Sequence, residues 1–548
     1  MVVKNMKHKL KQEFQPSDRL NQEIEKKLPL SCKILEDIER SEFSKDRDRI
    51  LFSRPFRRLQ HKAQVFSNET GDHYRTRLTH TLEVSQISRS LARYLDSNED
   101  LVEAIALGHD IGHTPFGHQG ERVLDEVMSG EDKLGLIKYP LNFGGFKHNF
   151  NGLRVLDVVQ SKFEDYKGLN LSWQVLEGIL KHTRIKKHKD CEEHENCWDI
   201  RRFVSDQSLI ERLYLKHEFS VTLEGQIVAI ADEIAQRQHD IDDGLRNKEL
   251  GFQLSKLYEE IDGIIDSIIS KSPQYADMNK EHLEDFIELL NQLKENLDKN
   301  KNSSILLKTD YLVRDIIEYF ILDVFANSRI HIMGNTKLIQ DGERKILQNK
   351  VVDFSPLGKQ LNKELEKVVK YRILNSYQVN KFDGKSRFII RQLFKAFYTN
   401  PRQMPSYVLE RLAKELKENC NIYTINLISE DESISLDSVD FNKLSHSEAK
   451  ILISSLKLEM LDRYLDAPSK LKAILQEPAN EQGINERFHK TLRSINSSES
   501  GEVVTKTDKL LKCLIENHYA YLSTICDYIA GMSDNYANSE YKKLYLVD

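Results

Sequence analysis

The chain has 548 residues, of which 39% are hydrophobic, 30% charged and 8% aromatic, as in ordinary globular proteins rather than disordered or membrane proteins. Its formal net charge of -6 and sequence pI of about 6.3 exclude a globally basic surface, so a bound nucleic acid would need a local patch. We expect a cytoplasmic protein with no membrane partner, because the six cysteines are too few for a disulfide scaffold and neither a signal peptide nor a membrane-spanning apolar run is recognisable.

The first part of the chain combines a polar segment with a cationic stretch. Residues 1–46 read as an N-terminal lead-in with one helix predicted around residues 32–43. The cationic side chains that follow are Arg54, Arg57, Arg58 and Lys62. Such a run is usually a solvated helix face, and the alternative is a phosphate-binding wall. The same stretch is the sole support for binding of single-stranded nucleic acid.

Two predicted helices carry histidines on apolar faces. Residues 79–95 place apolar side chains at helical spacing, and extending that stripe back one turn reaches His80, which should therefore point inward. Residues 101–110 form a second apolar helix that ends on His109 and Asp110. A carboxylate in such dry surroundings needs a cation or hydrogen-bond donors to compensate its charge. A single core histidine bonded to a carbonyl is the commoner arrangement, but the adjacent His-Asp pair favours a metal site.

A third predicted helix completes a set of ligands. Residues 221–240 have a core stripe of Leu and Ile, with Asp232 beside it. Two histidines and two aspartates from three helices form a nitrogen–oxygen ligand set that suits a divalent metal and leaves positions open for water and substrate. The predicted ligands are His80, His109, Asp110 and Asp232.

The segment that follows the His-Asp pair predicts a second kind of chemistry. Gly112 is expected to stop the helix, and a Gly/Pro turn leads into the next one. His118 and Glu121 are three residues apart on that helix and so share a face, which suits a proton-transfer pair. His113 receives no catalytic role.

Further along, two segments contain histidines in polar loops. Lys147 and His148 are cationic candidates in the Gly-containing segment 142–157. A later set recurs every three residues and could hold a structural zinc ion, although a charged loop also gathers such residues by chance. This set consists of His188, Cys191, His194 and Cys197.

The second half of the chain is predicted to be mainly helical. Residues 251–390 form a helical extension, with amphipathic patterns at 254–269 and 282–297, and residues 391–548 form a C-terminal helical region. Alternation at 423–440 indicates a short hairpin or a loop.

Four blocks in this order resemble the HD-domain superfamily, and more narrowly the bacterial deoxyguanosine triphosphate triphosphohydrolases. They read RDRILFSRPFRRLQHKAQVF, GDHYRTRLTHTLEVSQI, ALGHDIGHTPFGHQGE and IVAIADEIAQRQHDIDDG, with CDYIAGMSDNYA as a weaker fifth block. The resemblance implies an all-α fold in which residues 47–250 form the HD catalytic core and residues 391–548 close the active site. It also implies hydrolysis of dGTP, and of other dNTPs, to deoxynucleoside and inorganic triphosphate.

The resemblance assigns roles to individual residues. It implies the same four metal ligands and a catalytic His118 with Glu121 as its acidic partner. The implied substrate contacts are Arg77 and Arg58 at phosphate, Gln64 and Asp240 near the deoxyribose 3′-hydroxyl, and His148 by a looser correspondence. Gln236 stands where the family usually has a Tyr that borders the sugar. We therefore expect altered sugar discrimination or nucleotide preference.

The family also implies cofactors and partners. These are a divalent ion (Mg or Mn first, with Fe, Co or Zn as alternatives), an allosteric dNTP, and a homo-oligomer, either a hexamer or a tetramer. Other HD enzymes that hydrolyse cyclic dinucleotides or guanosine tetraphosphate share the metal set and are the first alternative. A regulatory nucleotide-binding HD protein is the second. Nucleotide-pool housekeeping and antiphage defence both remain open as biological roles.

Overall fold

The structure is a computed structural model, and its chain folds into two compact units. Unit 1 comprises Met1–Gly117 and His148–Gly384, and unit 2 comprises His118–Lys147 and Lys385–Asp548. The residues it describes are 11–19, 41–66, 74–137, 144–160, 166–185, 200–247, 250, 253–275, 278–300, 304–334, 338–341, 344–409, 411–412, 424–426, 433–435 and 519–546.

Unit 1 is built from helices, in agreement with the predicted all-α class. Its first helices are α1 (Glu42–Leu51), α2 (Arg54–Arg58), α3 (Arg77–Leu95), α4 (Glu99–Gly108), α6 (His148–Arg154), α7 (Trp173–Leu180), α8 (Ser208–Arg212) and α9 (Leu223–Arg246), while α5 (Gly117–Met128) begins at its boundary. The extension adds α10 (Leu254–Ser270), α11 (Lys280–Asn300), α12 (Ile305–Gly334) and α13 (Pro356–Val369), and α14 (Tyr377–Thr399) begins there. The amphipathic helices predicted at 254–269 and 282–297 are confirmed as α10 and α11.

The core of unit 1 forms where α3, α4 and α9 pack against one another. Val84 and Leu91 of α3, Ile105 of α4 and Ile227 of α9 are all 0% exposed. Burial of such side chains contributes about 1.5–3 kcal/mol each. The apolar stripes predicted from the sequence therefore face the core, and polar residues that interrupt these stripes, such as His80, are buried with them.

Side-chain caps fix where these helices begin. Thr76 and Thr79 form a reciprocal capping box at the start of α3, in which each hydroxyl oxygen accepts from the other residue's backbone N–H. Asn98 caps α4 by accepting from Leu101 N at 3.2 Å, and Thr222 caps α9 by accepting from Gly225 N at 3.0 Å. These caps set the register in which the inward-facing polar residues are presented.

Two short hairpins accompany the helices among the described residues. In unit 1, β1 (Leu338–Asp341) pairs antiparallel with β2 (Arg344–Leu347). In unit 2, β3 (Thr424–Asn426) pairs antiparallel with β4 (Ser433–Ser435), so the strands of the hairpin predicted at 423–440 are present.

Unit 2 contains most of α5 and α14, helical residues 519–530 and helix α15 (Asp534–Tyr545). The buried Tyr521 hydroxyl donates to the carbonyl oxygens of Phe397 and Tyr398 at 3.1 and 2.9 Å. Arg387 forms a two-pronged ion pair with Glu126 at 2.9 and 2.6 Å. In the described part of the whole chain, no helix is both long and apolar enough to cross a membrane.

The prediction that Gly112 stops a helix is wrong. Helix α4 already ends at Gly108, and the turn before α5 is made by Phe116 and Gly117, whose φ angles are 61° and 57°. Gly112 serves a different purpose, since a Cβ there would lie 1.9 Å from His148 O and 2.2 Å from Gly152 N. Glycine is required because the backbone after Asp110 passes directly against α6.

We predict that Gly112→Ala destabilises the protein by about 1–3 kcal/mol or more, because the added methyl meets backbone rather than a movable side chain. The measurement is the midpoint of thermal unfolding. Gly263→Ala is the matched control, since its Cβ would meet nothing within 4 Å and Ala favours the helix there. Equal midpoints for Gly112→Ala and the unmodified protein would contradict the close-approach account.

Candidate metal centre

Helices α3, α4 and α9 bring the four predicted metal ligands together. His80 lies in the first turn of α3, His109 and Asp110 follow directly on α4, and Asp232 lies in the middle of α9. The prediction that His80 points inward is confirmed, since it is 1% exposed. His80, His109 and Asp110 each offer a ligand atom within 4.8 Å of the other two.

Asp232 joins this group through both histidines. Its Oδ1 lies 2.9 Å from His80 Nε2 and 3.7 Å from His109 Nε2. On the other side, Asp110 Oδ1 lies 3.5 Å from His109 Nε2, and Asp110 Oδ2 lies 4.0 Å from His80 Nε2. Two nitrogens and two carboxylates therefore surround one small volume.

The position of the ring proton on His109 indicates whether a cation fits between these four side chains. Its Nδ1 lies 2.6 Å from the Ala106 carbonyl oxygen, which only accepts, so Nδ1 carries the proton and Nε2 carries a lone pair. That Nε2 is buried without a hydrogen-bond partner and faces two carboxylate oxygens. Lone pairs that converge in this way repel one another unless a positive charge lies between them, and a divalent metal supplies it.

The charges of the centre favour the same occupant. Burial opposes ionisation of Asp110, but the charge of Arg77 holds the pKa of this carboxyl well below its usual range. Burial also opposes ionisation of Asp232, but its hydrogen bond with His80 lowers its pKa. Burial lowers the pKa of His80 less than Asp232 raises it, so metal binding would displace a proton from His80.

Asp110 has two further partners that sequence reasoning did not assign to it. Arg77 NH1 donates to its Oδ2 at 2.8 Å, and both side chains are nearly fully buried. His113 Nε2 lies 3.0 Å from its Oδ1. Burial and the charge of Arg77 hold the pKa of His113 well below its usual range, so this ring is neutral at neutral pH. Arg77 and His113 therefore orient the carboxylate.

His148 belongs to a second group of histidines in unit 1. Its ring stacks on that of His113, with centroids 3.9 Å apart and planes at 13°. Its Nε2 lies 3.3 Å from His182 Nε2, and His182 Nδ1 donates to the Ile179 carbonyl at 2.6 Å. His182 therefore repeats the arrangement of His109 at the end of another apolar helix, α7. The spacing in this part of the sequence predicts a metal site only further along, from His188 to Cys197, and does not point to His182.

His239 and Glu83 also lie beside the centre, although the sequence did not predict a role for either. His239 Nδ1 lies 2.9 Å from His80 Nδ1, and His239 Nε2 makes a short hydrogen bond with Glu83. The available signal was spacing, because His239 lies seven residues after Asp232 and Glu83 three after His80, which puts each pair on one helix face.

Several buried polar atoms have no hydrogen-bond partner among the described residues, and three of them belong to predicted substrate contacts. These three are Gln64 Oε1, Arg77 Nε and Asp240 Oδ1. Burial and the neighbouring Asp243 raise the pKa of Asp240 to about 7. Buried polar groups are rarely left unsatisfied, so these atoms are suited to meet a ligand.

Three further predicted residues, His118, Arg58 and Gln236, are exposed. Within unit 2, His118 Nδ1 lies 3.2 Å from Glu121 Oε2, with the His118 side chain 59% exposed and that of Glu121 8% exposed. Arg58 and Gln236 are exposed on α2 and α9. The four residues of the predicted zinc set, His188, Cys191, His194 and Cys197, lie outside the described residues.

Comparison with known proteins agrees with this geometry. A family model described as HD domain matches residues 77–236, the interval that contains all four candidate ligands. A second model, described as phosphohydrolase-associated domain, matches residues 352–421.

Curated relatives resemble most of the chain. A deoxyguanosinetriphosphate triphosphohydrolase-like protein of Bartonella quintana is 36% identical over 366 residues, covering 67% of this chain and 80% of the relative. Proteins of the same description from Nitrosomonas europaea and Rickettsia felis are 35% and 33% identical, each covering 67% of this chain and 82% of the relative.

Proposed function

This chain belongs to the HD-domain family of deoxyguanosinetriphosphate triphosphohydrolase-like proteins, and from that premise we propose that it hydrolyses dGTP, and other dNTPs, to deoxynucleoside and inorganic triphosphate. It is an HD-domain phosphohydrolase with a His/Asp cluster that could bind a metal ion. The observation that carries the proposal is the unpartnered His109 Nε2 facing the carboxylates of Asp110 and Asp232. That arrangement is fitted to a divalent cation.

In this proposal the metal is held by His80, His109, Asp110 and Asp232. When bound, a divalent ion such as Mg²⁺ or Mn²⁺ supplies Lewis-acid polarisation of a phosphoryl oxygen. The protein residues hold these ligands in place, since His109 is fixed by the Ala106 carbonyl and Asp110 by Arg77 and His113. The ligand set therefore needs little reorganisation when the ion binds.

The substrate contacts are proposed from the unpaired polar atoms. Arg77 has a free Nε beside its ion pair with Asp110, which suits an anionic phosphate oxygen. Gln64 Oε1 can accept from a sugar hydroxyl. Asp240, whose burial raises its pKa to about 7, suits a neutral hydroxyl better than a cation. The exposed Arg58 and Gln236 and the buried His148 complete the proposed set.

The chemical step is attack of water on the α-phosphorus with departure of the nucleoside 5′-oxygen. A bond forms from the water oxygen to phosphorus, and the bond from phosphorus to the 5′-oxygen breaks. The 5′-alkoxide leaves poorly without a proton, and we propose that His118 donates it. Glu121, whose Oε2 lies 3.2 Å from His118 Nδ1, orients the ring and keeps the proton on Nδ1, and we propose that the protonated ring donates from Nε2.

The reaction is tested by its phosphate product. We predict that purified protein incubated with single and mixed dNTPs under Mg²⁺ or Mn²⁺ releases inorganic triphosphate and deoxynucleoside, read by anion-exchange chromatography. A linear dinucleotide from cyclic dinucleotides, or pyrophosphate from guanosine tetraphosphate, would identify another HD phosphohydrolase. Binding of dNTPs without turnover under every metal would indicate a regulatory protein.

The ligand set is tested by Asp110→Asn. The amide still accepts from Arg77, so the fold should persist, while loss of the negative charge removes metal affinity and turnover together. We predict a loss of Mn²⁺ affinity greater than the roughly 10- to 100-fold that follows loss of an outer-shell partner, measured by calorimetric titration. Asp323→Asn, another buried carboxylate that binds Ser355, is the matched control and should bind Mn²⁺ normally. A metal-replete Asp110→Asn protein would show that the ligand set is wrong.

The proton donor is tested by His118→Ala. We predict normal Mn²⁺ binding with turnover reduced roughly 10²- to 10⁴-fold, the usual contribution of a general acid, measured as initial rates of triphosphate release. His282→Ala on α11 is the control, because it removes a half-exposed histidine from the helical extension. Near-normal turnover of His118→Ala would refute the assigned role.

A further inference from the structure

A line of three side chains runs from the candidate metal centre toward solvent on the side of His80 opposite Asp232. His80 Nδ1 lies 2.9 Å from His239 Nδ1, with the two rings at 75°. His239 Nε2 then makes a short hydrogen bond with Glu83 Oε2. His80 and His239 are 1% and 0% exposed, whereas the side chain of Glu83 is 38% exposed. The line therefore joins a buried ligand to an accessible carboxylate.

We propose that His239 and Glu83 are positioning residues that fix the ring orientation and tautomer of His80 for metal binding. A metal bound at Nε2 of His80 requires a lone pair there, which places the ring proton on Nδ1. That proton must go to an acceptor, and the facing atom is Nδ1 of His239. His239 then carries its own proton on Nε2, where Glu83 accepts it.

The opposite arrangement of protons is unfavourable. If Nε2 of His80 kept the single proton of a neutral ring, its Nδ1 would have to accept from His239. Nε2 of a neutral His239 would then present a lone pair to the Glu83 carboxylate, and the two would repel. Glu83 therefore selects the tautomer of His239, and His239 selects that of His80.

Two further hydrogen bonds fix the position of the Glu83 carboxylate. Its Oε2 also accepts from Gln238 Nε2 at 2.7 Å, and its Oε1 accepts from Arg75 Nε at 3.3 Å. Arg75 NH1 in turn donates to Asp242 and Asp243 at 2.6 and 2.9 Å. The carboxylate is thus ordered by cationic and amide donors although it lies near solvent.

Four of these contacts link helices α3 and α9. His80 contacts Asp232 and His239, and Glu83 accepts from His239 and Gln238. His109, by contrast, is oriented by the backbone carbonyl of Ala106, which no substitution of a side chain removes. Of the two histidine ligands, His80 is the one whose orientation depends on side chains, so its outer partners can be tested by mutation.

This inference rests on the metal centre of the proposed function and is independent of its substrate. The experiment measures Mn²⁺ dissociation constants of the full-length protein by electron paramagnetic resonance, the visible spectrum of the Co²⁺-loaded protein, and the unfolding midpoint without metal. We expect Glu83→Ala and His239→Leu to weaken Mn²⁺ binding roughly 10- to 100-fold and to shift the Co²⁺ bands. The unfolding midpoint of metal-free Glu83→Ala should be nearly unchanged, because Glu83 is partly exposed and Ala favours helices.

Two further variants separate positioning from a structural cross-link. His239→Asn places an amide oxygen near the position of Nδ1 and should retain tighter binding than His239→Leu. Glu103→Ala is the matched control, since Glu103 on α4 also pairs with arginines, at 3.2 Å from Arg47 and 3.8 Å from Arg89, without touching the histidines. It should bind Mn²⁺ as the unmodified protein does.

The Mn²⁺ affinities of these variants decide between the positioning role and its alternatives. Unchanged Mn²⁺ affinity in both Glu83→Ala and His239→Leu overturns the inference, as does an equal loss in Glu103→Ala or a loss in His239→Asn as large as in His239→Leu. If the expected affinities are found but no dNTP yields inorganic triphosphate, the positioning role stands and the proposed function fails.

Discussion

The carboxylates of Asp110 and Asp232 face two imidazole nitrogens at the junction of three apolar helices, and the rest of unit 1 depends on how their charge is balanced. An ionised group in such surroundings costs several kcal/mol unless it is paired or binds a metal. Arg77 balances one charge directly, at 2.8 Å from Asp110. Asp232 pairs with His80 at 2.9 Å, and a divalent ion would take over this pairing when it displaces the proton of His80. Metal affinity and core stability are therefore coupled through the same two side chains.

The scaffold limits the freedom of each ligand by a different means. His109 is fixed by a backbone carbonyl, Asp110 by Arg77 and His113, and His80 by a line of side chains. Gly112 lets the chain pass against α6 immediately after Asp110, because any Cβ there would overlap backbone atoms. A preformed ligand set of this kind loses little entropy when the ion binds.

The clustering of the four candidate ligands could be predicted from the sequence because they interrupt or end apolar stripes. His80 and Asp232 occupy core-facing positions of strongly periodic helices, and the same periodicity predicted α10 and α11. His239 and Glu83 could not be recognised in this way, since His239 lies between two polar residues, Glu83 lies on a partly exposed face of its helix, and each has its partner far along the chain. The role of Gly112 was wrongly predicted as a helix stop. Glycine is favoured both where a helix ends and where two backbone segments pack closely, and only the tertiary contacts distinguish these two roles. Phe116 adopts a left-handed conformation that residue type does not predict.

Helix α9 contributes two carboxylates eight residues apart with opposite tendencies to ionise. The hydrogen bond from His80 overcomes burial at Asp232, so its pKa falls. At Asp240 burial dominates and raises the pKa to about 7, with one oxygen left unpaired. An ionised carboxylate suits a cation, whereas a carboxyl with a pKa of about 7 is partly protonated at neutral pH and can donate to or accept from an uncharged hydroxyl. Helix α9 therefore carries an ionised carboxylate and, about two turns on, a carboxyl that is readily protonated.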